Sequence, residues 1–260
     1  MLLTFHKYQG TGNDFVIIDN RELTFPVSDF ALVAKICDRR FGIGADGLIL
    51  LENHDSVDFK MVYYNSDGYL SSMCGNGGRC IVHFPNKIGV IEREASFEAV
   101  YGVHKATISG DLVDLSMADV ADIELEESYG YMDTGSPHYL IWDDNIDQLD
   151  INQEAHKVRY NDRFKEEGTN VNFLHWDAET VQMRTYERGV EGETLSCGTG
   201  MVAAALYASL SGKIGEQESC TINTRGGQAE VEFSKSGDRS FEQIRLIGPA
   251  MFVYSGEIDV

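Results

Sequence analysis

The sequence predicts an α/β (α+β) fold made of two similar, pseudo-symmetric domains. The cluster Cys74-Gly-Asn-Gly77 recurs as Cys197-Gly-Thr-Gly200 at a distance of 123 residues, which suggests a duplication. Short segments rich in β-branched and aromatic residues, bounded by turn residues, predict strands in both halves. A stretch of helical character follows each cluster, so each cluster lies where a strand, a turn and a helix meet.

The offset of 123 residues also aligns segments outside the clusters. It superposes Thr11-Gly12 on Thr134-Gly135, Phe15–Ile18 on His138–Ile141, and Tyr63 on Tyr186. Beyond residue 108 the register slips to an offset of 131. A fixed period with matching turns and strands indicates an internal repeat. We therefore predict two domains, residues 1–115 and residues 116–249, each contributing one cysteine cluster.

Strands are predicted where β-branched and aromatic residues lie between turn residues. In the first half these segments are Phe15–Asp19, Gly47–Glu52, Asp58–Tyr64 and Lys105–Ile108. In the second half, Val181–Tyr186 has the same character. The pattern predicts the strands but not their order in a sheet.

Three segments of the sequence are predicted to form helices. Phe30–Arg39 has apolar residues at helical spacing after Ser28, which can cap a helix. Arg79–Phe84 is short and stops at Pro85, because the residue before a proline disfavours helix. Met201–Leu210 is rich in alanine and ends shortly before a glycine, a typical helix end.

Composition excludes several classes of function. The net charge of −21 over 260 residues argues against binding to nucleic acid or to anionic membranes. The N-terminus lacks the apolar core of a secretory signal, and no apolar run reaches the ~18 residues of a membrane span. The five cysteines are few and odd in number, unlike those of a disulfide scaffold. We expect reduced thiols in a cytoplasmic compartment.

The cysteine clusters allow several interpretations. Zinc sites usually pair thiolates about two to four residues apart, whereas five residues separate Cys74 from Cys80. A phosphate loop is disfavoured, because neither cluster has a Gly-Lys-Ser/Thr or a G-x-G-x-x-G fingerprint in a strand–turn–helix unit. Burial as small apolar residues suits Cys37, Cys80 and Cys220. It suits Cys74 and Cys197 poorly, because each begins a glycine-rich turn.

A thiol followed by Gly-x-Gly at a helix start suggests acid–base chemistry. The glycines bring backbone N–H groups close to a ligand, and a helix N-terminus favours a thiolate. If the halves face each other, a substrate α-carbon would lie between the two sulfurs. One thiolate would remove the α-proton while the opposite thiol protonates the other face. No residue pattern points to pyridoxal phosphate, so the helix N-termini would stabilise the carbanion.

Polar residues near the predicted strand ends have two interpretations each. Asn13 either binds a polar substrate group or serves turn chemistry. His138 is either the base partner of a cysteine or a structural histidine. Arg188 either clamps a carboxylate or lies in a solvated turn. Asn170 and Asn172 are expected in a similarly polar turn.

Seven motifs, taken in order, resemble those of the diaminopimelate epimerase family. They are Gly12-Asn13-Asp14-Phe15, Arg40-Phe-Gly-Ile-Gly-Ala-Asp46-Gly47, Asn65-Ser-Asp-Gly68, Cys74-Gly-Asn-Gly-Gly-Arg-Cys80, Gly135-Ser-Pro-His138, Glu187-Arg-Gly189 and Glu193-Thr-Leu-Ser-Cys-Gly-Thr-Gly200. The likeness spans nearly the whole chain. It implies a cofactor-independent epimerase that converts LL- to meso-diaminopimelate in lysine and peptidoglycan precursor biosynthesis.

The resemblance also implies roles for particular residues. The acid/base pair would be Cys74 and Cys197, assisted by His138 and Glu187. The reacting carboxylate would lie on the backbone amides of Gly75, Asn76, Gly198 and Thr199. The distal end of the substrate would meet Asn13, Asn65, Asn170, Glu187 and Arg188. Ser136 stands where many members have a substrate-binding Asn, and Gly47 where some have a Gln.

The family fold has two domains, each a curved mixed β-sheet or barrel wrapped around a central helix, with the active site in the cleft between them. Residues 250–260 would complete the first domain. The resemblance further implies a small amino acid as substrate, no cofactor or metal, and a homodimer. Ser136, Gly47, Tyr69-Leu70 and an extra Glu191 depart from the common pattern at the distal site. A related cofactor-free racemase with a different substrate is therefore the alternative.

Overall fold

A computed structural model of the chain describes residues 1–71, 73–100 and 102–260. The fold is mixed α/β, as predicted, and the chain divides into two compact units. Unit 1 comprises Met1–Leu115 with Gly248–Val260, and unit 2 comprises Ser116–Ile247. Within the described ranges, no helix has both the length and the apolar character needed to cross a membrane.

The strands, in chain order, are β1 (Leu2–Gly10), β2 (Asn13–Asp19), β3 (Gly47–Glu52), β4 (Phe59–Asn65), β5 (Glu94–Ala99), β6 (Gly102–Ser109), β7 (Leu112–Ser116), β8 (Glu124–Leu125), β9 (Gly130–Asp133), β10 (Pro137–Trp142), β11 (Asn170–Trp176), β12 (Val181–Glu187), β13 (Gly192–Thr194), β14 (Ser219–Thr224), β15 (Gly227–Gly237), β16 (Ser240–Pro249) and β17 (Met251–Asp259). The α-helices are α1 (Phe30–Cys37), α2 (Gly75–Lys87), α3 (Ile151–Arg159) and α4 (Gly198–Leu210). A short 3-10 helix covers Ile146–Gln148.

In unit 1, a mixed sheet surrounds helix α2. Strand β1 pairs antiparallel with both β17 and β2, β2 runs parallel to β3, and β3 runs antiparallel to β4. A short parallel pairing joins β4 to β5, and β5, β6 and β7 continue antiparallel. Helix α2 packs against β1, β2, β3, β6 and β17. Ten of its thirteen residues are buried, so the strands enclose most of the helix.

Unit 2 repeats this order of pairings. Strand β9 is antiparallel to β10, β10 parallel to β11, β11 antiparallel to β12, and β12 parallel to β14. Strands β14, β15 and β16 continue antiparallel, as β5, β6 and β7 do. The first parallel pairing even keeps its register at the offset of 123, because Phe15 lies opposite Gly47 and His138 opposite Asn170. The sequence repeat is therefore a repeat of topology.

Helix α4 is the apolar centre of unit 2. It packs against β9, β10, β11, β12, β14 and β15. All of its residues except Leu210 are buried, because alanines and aliphatic residues cover every face. A helix that is apolar all round is stable only when it is enclosed. The predicted helix thus lies inside the strands rather than on the surface.

The cap and end of α1 differ from the expectation. Its N-cap is Asp29, which accepts a hydrogen bond from Leu32 N–H at 2.9 Å, and not Ser28. The helix ends at Cys37 instead of Arg39 because Asp38 has an extended backbone conformation. Adjacent Ser and Asp are both good caps, so the sequence does not distinguish them.

Helices α2 and α4 begin earlier than expected, and α2 also ends later. Each starts directly after its cysteine, because Cys74 and Cys197 have the extended conformation of N-cap residues. Glycines in the first turns have low helix propensity and conceal this start in the sequence. Helix α2 also passes through Pro85. A proline this close to the helix end removes one backbone hydrogen bond and leaves little helix to disrupt.

The predicted polar turn at Asn170 and Asn172 is wrong, because both residues lie in strand β11. Their side chains are buried, at 5% and 0% exposure. Asparagine is uncommon in strands, but residues two apart point to the same face, and here both amides contact one histidine. Tertiary hydrogen bonds therefore override the local preference.

Candidate active site

In unit 1, the Cys74 thiol lies at the start of helix α2. Gly77 N–H donates to Cys74 Sγ at 3.5 Å, as a side-chain cap of the helix. The half-buried sulfur is thus at the positive end of the helix dipole, next to backbone N–H groups of the first turn. This arrangement suits a sulfur that carries negative charge during a reaction.

Two asparagines from the predicted site meet this thiol. Cys74 Sγ donates to Asn13 Oδ1 at 3.5 Å, and Asn76 Nδ2 donates to the same oxygen at 3.3 Å. Asn13 Nδ2 donates to Asp46 Oδ2 at 2.6 Å, which fixes the orientation of the amide. The structure therefore brings Cys74, Asn76 and Asn13 together in one hydrogen-bonded group.

Arg79, to which the sequence assigns no role, lies beneath this group. Its side chain is fully buried, and Nη2 donates to Asn76 Oδ1 at 3.0 Å and to Thr11 Oγ1 at 3.2 Å. Nε donates to Pro249 O at 3.3 Å. Burial lowers the pKa of Arg79, and no carboxylate of the described chain forms an ion pair with it. Neutral oxygen atoms therefore accept the hydrogen bonds that the buried guanidinium donates.

Asn65 and Gly47 lie opposite each other where strands β3 and β4 pair. Asn65 is exposed, whereas Gly47 is buried. A Cβ atom at Gly47 would lie 2.5 Å from Tyr63 Cε2 and 2.6 Å from Tyr64 O. This position has no room for a side chain, so Gly47 can offer a ligand only its backbone.

In unit 2, the Cys197 thiol holds the equivalent position at the start of helix α4. It is 9% exposed, and its Sγ lies 3.5 Å from Thr199 Oγ1. Gly200 allows the first turn to approach strands β10 and β11, because a Cβ there would lie 2.9 Å from Asn172 Oδ1. The Cys-Gly-x-Gly motif thus brings the Cys197 sulfur and the Thr199 hydroxyl together, and its second glycine leaves room for the side chains of Asn172 and His138.

His138 is fully buried beside this first turn. Its Nε2 lies 2.9 Å from Thr199 Oγ1, and its Nδ1 lies 3.1 Å from Asn172 Nδ2. Burial lowers the pKa of His138 to about 3, despite an opposing effect of Asn172, so the ring is neutral at physiological pH. Both ring nitrogens of His138 have hydrogen-bonding neighbours, and Thr199 Oγ1 lies 3.5 Å from Cys197 Sγ, so its role as the base partner of a cysteine stays a prediction.

The remaining predicted residues of unit 2 lie at the ends of β11 and β12. Arg188 N–H donates to Asn170 Oδ1 at 2.8 Å, which links these two positions. The Arg188 side chain is exposed, and its Nη1 donates to Glu167 O at 3.0 Å. Glu187 Oε1 accepts from Thr194 Oγ1 at 2.6 Å. The exposed guanidinium is in a position to meet a ligand from solvent.

Ser136, another predicted site residue of unit 2, directly precedes strand β10. It is half-buried in the turn before β10, and its backbone carbonyl accepts from Thr134 N–H at 3.1 Å. Thr134 Oγ1 in turn donates to Thr199 O at 2.8 Å. Ser136 is therefore connected to the start of helix α4 through a neighbouring threonine.

Two threonines were missed although the repeat contains their signal. Thr11 Oγ1 donates to Asn76 Oδ1 at 3.3 Å, and Thr134 Oγ1 donates to Thr199 O at 2.8 Å. Both bonds join residues 65 apart, and the two pairs are related by the offset of 123. A residue kept at equivalent positions of a repeat is a candidate for an equivalent contact, here between a turn and the first turn of a helix.

Comparison with solved structures first shows the fold that this chain shares with known proteins. The chain matches a PhzF-family phenazine biosynthesis protein from Bacillus anthracis with a TM-score of 0.77, at 14% identity and over 100% of both chains. It matches a hydroxyproline epimerase from Agrobacterium vitis with a TM-score of 0.69, at 16% identity, over 99% of this chain and 92% of the other. The chain therefore has the two-domain fold that these proteins share.

Sequence comparison then identifies the family. A family model described as diaminopimelate epimerase matches residues 5–120 and 130–253. A diaminopimelate epimerase from Flavobacterium psychrophilum is 50% identical over 98% of this chain and 100% of its own length. One from Chlorobaculum tepidum is 42% identical over 96% of this chain and 98% of its own length. The chain belongs to the diaminopimelate epimerase family and is an isomerase.

Proposed function

We propose that this chain interconverts LL- and meso-diaminopimelate without a cofactor, by two-base proton transfer at the α-carbon. The observation that carries the proposal is the equivalent position of two thiols. Cys74 and Cys197 are the N-caps of α2 and α4, the two enclosed helices of the repeat. A stereo-inversion that runs in both directions needs one proton-transfer group for each face of the substrate, and a duplicated fold supplies them.

In the proposed reaction, the thiolate of one cysteine takes the α-proton, and the electron pair of the C–H bond stays on carbon. The thiol of the other cysteine then gives its proton to the opposite face of the carbanion. The substrate keeps its composition, and the two cysteines exchange protonation states. Amides of Gly75, Asn76, Gly198 and Thr199 would hold the carboxylate, whose neighbouring carbanion they stabilise electrostatically.

Residues around each thiol would support its chemistry. His138, neutral and bonded to Thr199, would assist on the side of Cys197. Glu187 would assist proton transfer from the end of β12, where Thr194 holds one of its carboxylate oxygens. A neutral histidine and a carboxylate are both able to accept or orient protons near neutral pH.

The distal amino and carboxyl groups of diaminopimelate require both donors and acceptors. We propose that Arg188 binds the distal carboxylate, because its guanidinium is exposed and carries the right charge. Side-chain amides and carboxylates would bind the remaining distal groups, and these residues are Asn13, Asn65, Asn170 and Glu187. Ser136 and the backbone of Gly47 would complete this end.

The cellular setting follows from the proposed reaction. The product, meso-diaminopimelate, would serve lysine and peptidoglycan precursor synthesis in the cytoplasm. We propose that residues 1–115 with 250–260 form one half and residues 116–249 the other, with the substrate in a cleft between them. The active form would be a homodimer.

The proposed mechanism is tested by proton exchange at the substrate α-carbon in heavy water. We expect Cys74→Ala and Cys197→Ala to lose about 10²–10⁴-fold in epimerisation, the usual contribution of a general acid or base. Cys220→Ala is the matched control, since this thiol is buried in β14 and outside the proposed site. Activity near the wild-type level in either site variant would contradict the two-base mechanism.

A second candidate function is racemisation of another amino acid by the same two thiols. Gly47 is the observation that favours it, because no side chain from this position can reach a distal ligand group. A screen of wild-type enzyme on diaminopimelate, lysine, glutamate, histidine and proline decides between the two. A higher kcat/KM on any substrate other than diaminopimelate would replace the first proposal with the second.

A further inference from the structure

The hydrogen bonds around His138 have a direction that can be deduced from the groups that surround it. Asn172 Nδ2 lies 3.1 Å from His138 Nδ1 and 3.2 Å from Tyr139 O. A backbone carbonyl only accepts, so the amide nitrogen of Asn172 must face Tyr139 and the same nitrogen donates to Nδ1. Thr185 Oγ1 donates to Asn172 Oδ1 at 3.0 Å, which holds the other end of the amide.

A neutral imidazole has one N–H, so a ring that accepts at Nδ1 carries its hydrogen on Nε2. Nε2 lies 2.9 Å from Thr199 Oγ1 and 3.5 Å from Asn170 Nδ2. Arg188 N–H donates to Asn170 Oδ1, so the amide nitrogen of Asn170 faces the ring. Because that nitrogen only donates, the Nε2–H hydrogen is directed to the Thr199 hydroxyl.

The Thr199 hydroxyl extends this series of hydrogen bonds from His138 to Cys197. Its oxygen accepts from His138, so its own hydrogen remains to be donated, and Cys197 Sγ lies 3.5 Å away. A thiolate is a stronger acceptor than a thiol, so this bond strengthens when the sulfur carries charge. Asn172 and Thr185 are 0% and 2% exposed, so water does not compete for the amide that fixes the direction.

We propose that Asn172 is a positioning residue that locks His138 in its Nε2–H tautomer and so directs a chain of donors, through Thr199, at the sulfur of Cys197. The proposal deepens the proposed function and rests on it where it concerns catalysis. The charged group that acts on the ring is Arg188, on the turn after β12, and the Cys197 thiol is the titratable group beyond Thr199. On the sheet, Met132 and Asn170 flank the histidine.

The tautomer can be observed directly in the wild-type chain by nitrogen NMR with labelled histidine. The chain has seven histidines, and the signals of His138 are those lost in His138→Gln. We expect a neutral ring with the hydrogen on Nε2 from pH 5 to pH 9. A ring with its hydrogen on Nδ1, or an imidazolium in this range, would overturn the proposal.

The substitution Asn172→Asp is expected to reverse the direction of the hydrogen bonds that run from residue 172 through His138 to Thr199. The new carboxylate accepts from Nδ1–H and raises the pKa of His138. Below the new pKa the imidazolium still has Nε2–H, but above it the neutral ring keeps its hydrogen on Nδ1 and Thr199 loses its donor. We expect kcat to fall as pH rises through this titration, with little change in KM, whereas wild type shows no such step.

A substrate-free measurement separates this inference from the proposed function. We expect alkylation of Cys197 by iodoacetamide, measured above the new pKa of His138 and followed by peptide mass spectrometry, to slow about tenfold in Asn172→Asp, the effect of losing one hydrogen bond to a charged group. Asn223→Asp is the matched control, because it makes the same change in β14, where the amide donates to Thr180 at 2.8 Å.

A second pair of variants applies if Asn172→Asp does not fold. Thr199→Val removes the hydroxyl and should slow alkylation of Cys197 to a similar extent, while Thr199→Ser should restore it. Equal rates of Cys197 alkylation in wild type and Thr199→Val would overturn the proposed series of hydrogen bonds to Cys197. Wild type that shows the expected tautomer and alkylation but does not epimerise diaminopimelate would overturn only the proposed function.

Discussion

Arg79 carries a positive charge in the interior of unit 1, and burying such a charge costs several kcal/mol unless polar partners compensate. Its planar guanidinium reaches acceptors on Asn76, Thr11 and Pro249 at once. The bond to Asn76 directs the amide nitrogen of that residue at Asn13, next to the Cys74 thiol. A lysine has a single ammonium group and could not make the same set of bonds. The orientation of Asn76 and Asn13 beside the Cys74 thiol thus depends on Arg79.

The cysteines differ in environment, and alkylation should reveal this residue by residue. Burial raises the pKa of Cys37, Cys80 and Cys220 to about 12, so these thiols stay protonated at pH 8. We expect iodoacetamide to modify only Cys74 and Cys197 in the native chain at pH 8. All five should react in urea, which serves as the control. Native modification of Cys80 at the rate of Cys74 would contradict this.

At the scale of elements, a clamp of four charged residues joins strands β1 and β2 to the loop before β3. Lys7 and Arg39 form ion pairs with Asp14 at 2.6 and 2.7 Å, and Arg39 also pairs with Asp46 at 2.7 Å. Burial alone would raise the pKa of Asp14, but hydrogen bonds from Arg39 and Lys7 lower it to about 2. The two ion pairs to Asp14 therefore persist only while Asp14 is ionised. The clamp also holds Asp46, the acceptor that orients Asn13.

This clamp predicts a loss of stability in acid. An aspartate titrates near pH 3.9 in an unfolded chain, so the folded state binds fewer protons below that pH. The stabilisation from Asp14 is complete above about pH 5 and is lost as pH falls towards 2. We expect Asp14→Asn to lower the free energy of unfolding by about 2 kcal/mol at pH 7 and to flatten its acid dependence. Urea unfolding from pH 7 to pH 2.5 measures this.

The control for this experiment is Asp55→Asn, which changes an exposed aspartate in the loop between β3 and β4. Substitutions of exposed charges typically change stability by less than about 0.5 kcal/mol. An equal effect of both variants at pH 7, or an unchanged acid limb in Asp14→Asn, would show that the clamp does not contribute.

Some elements are predictable from sequence and others are not, for physical reasons. Strand β3 was predicted with the bounds that the structure has, because its apolar run ends at turn residues on both sides. The starts of α2 and α4 were not predicted, because their first turns contain glycines, which are poor helix formers. Enclosure by the surrounding strands stabilises these turns as helix. The thiols of the candidate site follow from the repeat. The roles of Asn172 and Arg79 do not, because contacts with residues distant in sequence, such as His138 for Asn172 and Thr11 for Arg79, determine them.

At the scale of the whole molecule, the chain is one supersecondary arrangement used twice. The order of strand pairings, the enclosed helix and the bond from a turn threonine to the helix start recur in both units. The family match over both halves and the TM-score of 0.77 at 14% identity indicate that this arrangement persists while most residues change. A function that depends on paired groups, one from each half, fits such a persistent duplication.

The proposed cleft can be tested with an oxidant. If the two sulfurs lie on opposite faces of one substrate carbon atom, they must be close to each other. A two-electron oxidant such as diamide should then form a disulfide between Cys74 and Cys197, with loss of both thiol protons. We expect one intramolecular disulfide by mass spectrometry, loss of epimerisation, and recovery with dithiothreitol. Cys74→Ala should form no such bond. Recovery of both peptides as free thiols after full oxidant treatment would argue against the proposed cleft.

Gly47 has a consequence for how this chain could diverge from its relatives. The Tyr63 ring and the Tyr64 carbonyl occupy the space that a side chain would need, and the carbonyl belongs to the β3–β4 ladder itself. A glutamine could fit at position 47 only with a smaller residue at position 63 and a shift of the backbone pairing between β3 and β4. We therefore expect a side chain at position 47 to be tolerated only together with a compensating change at position 63.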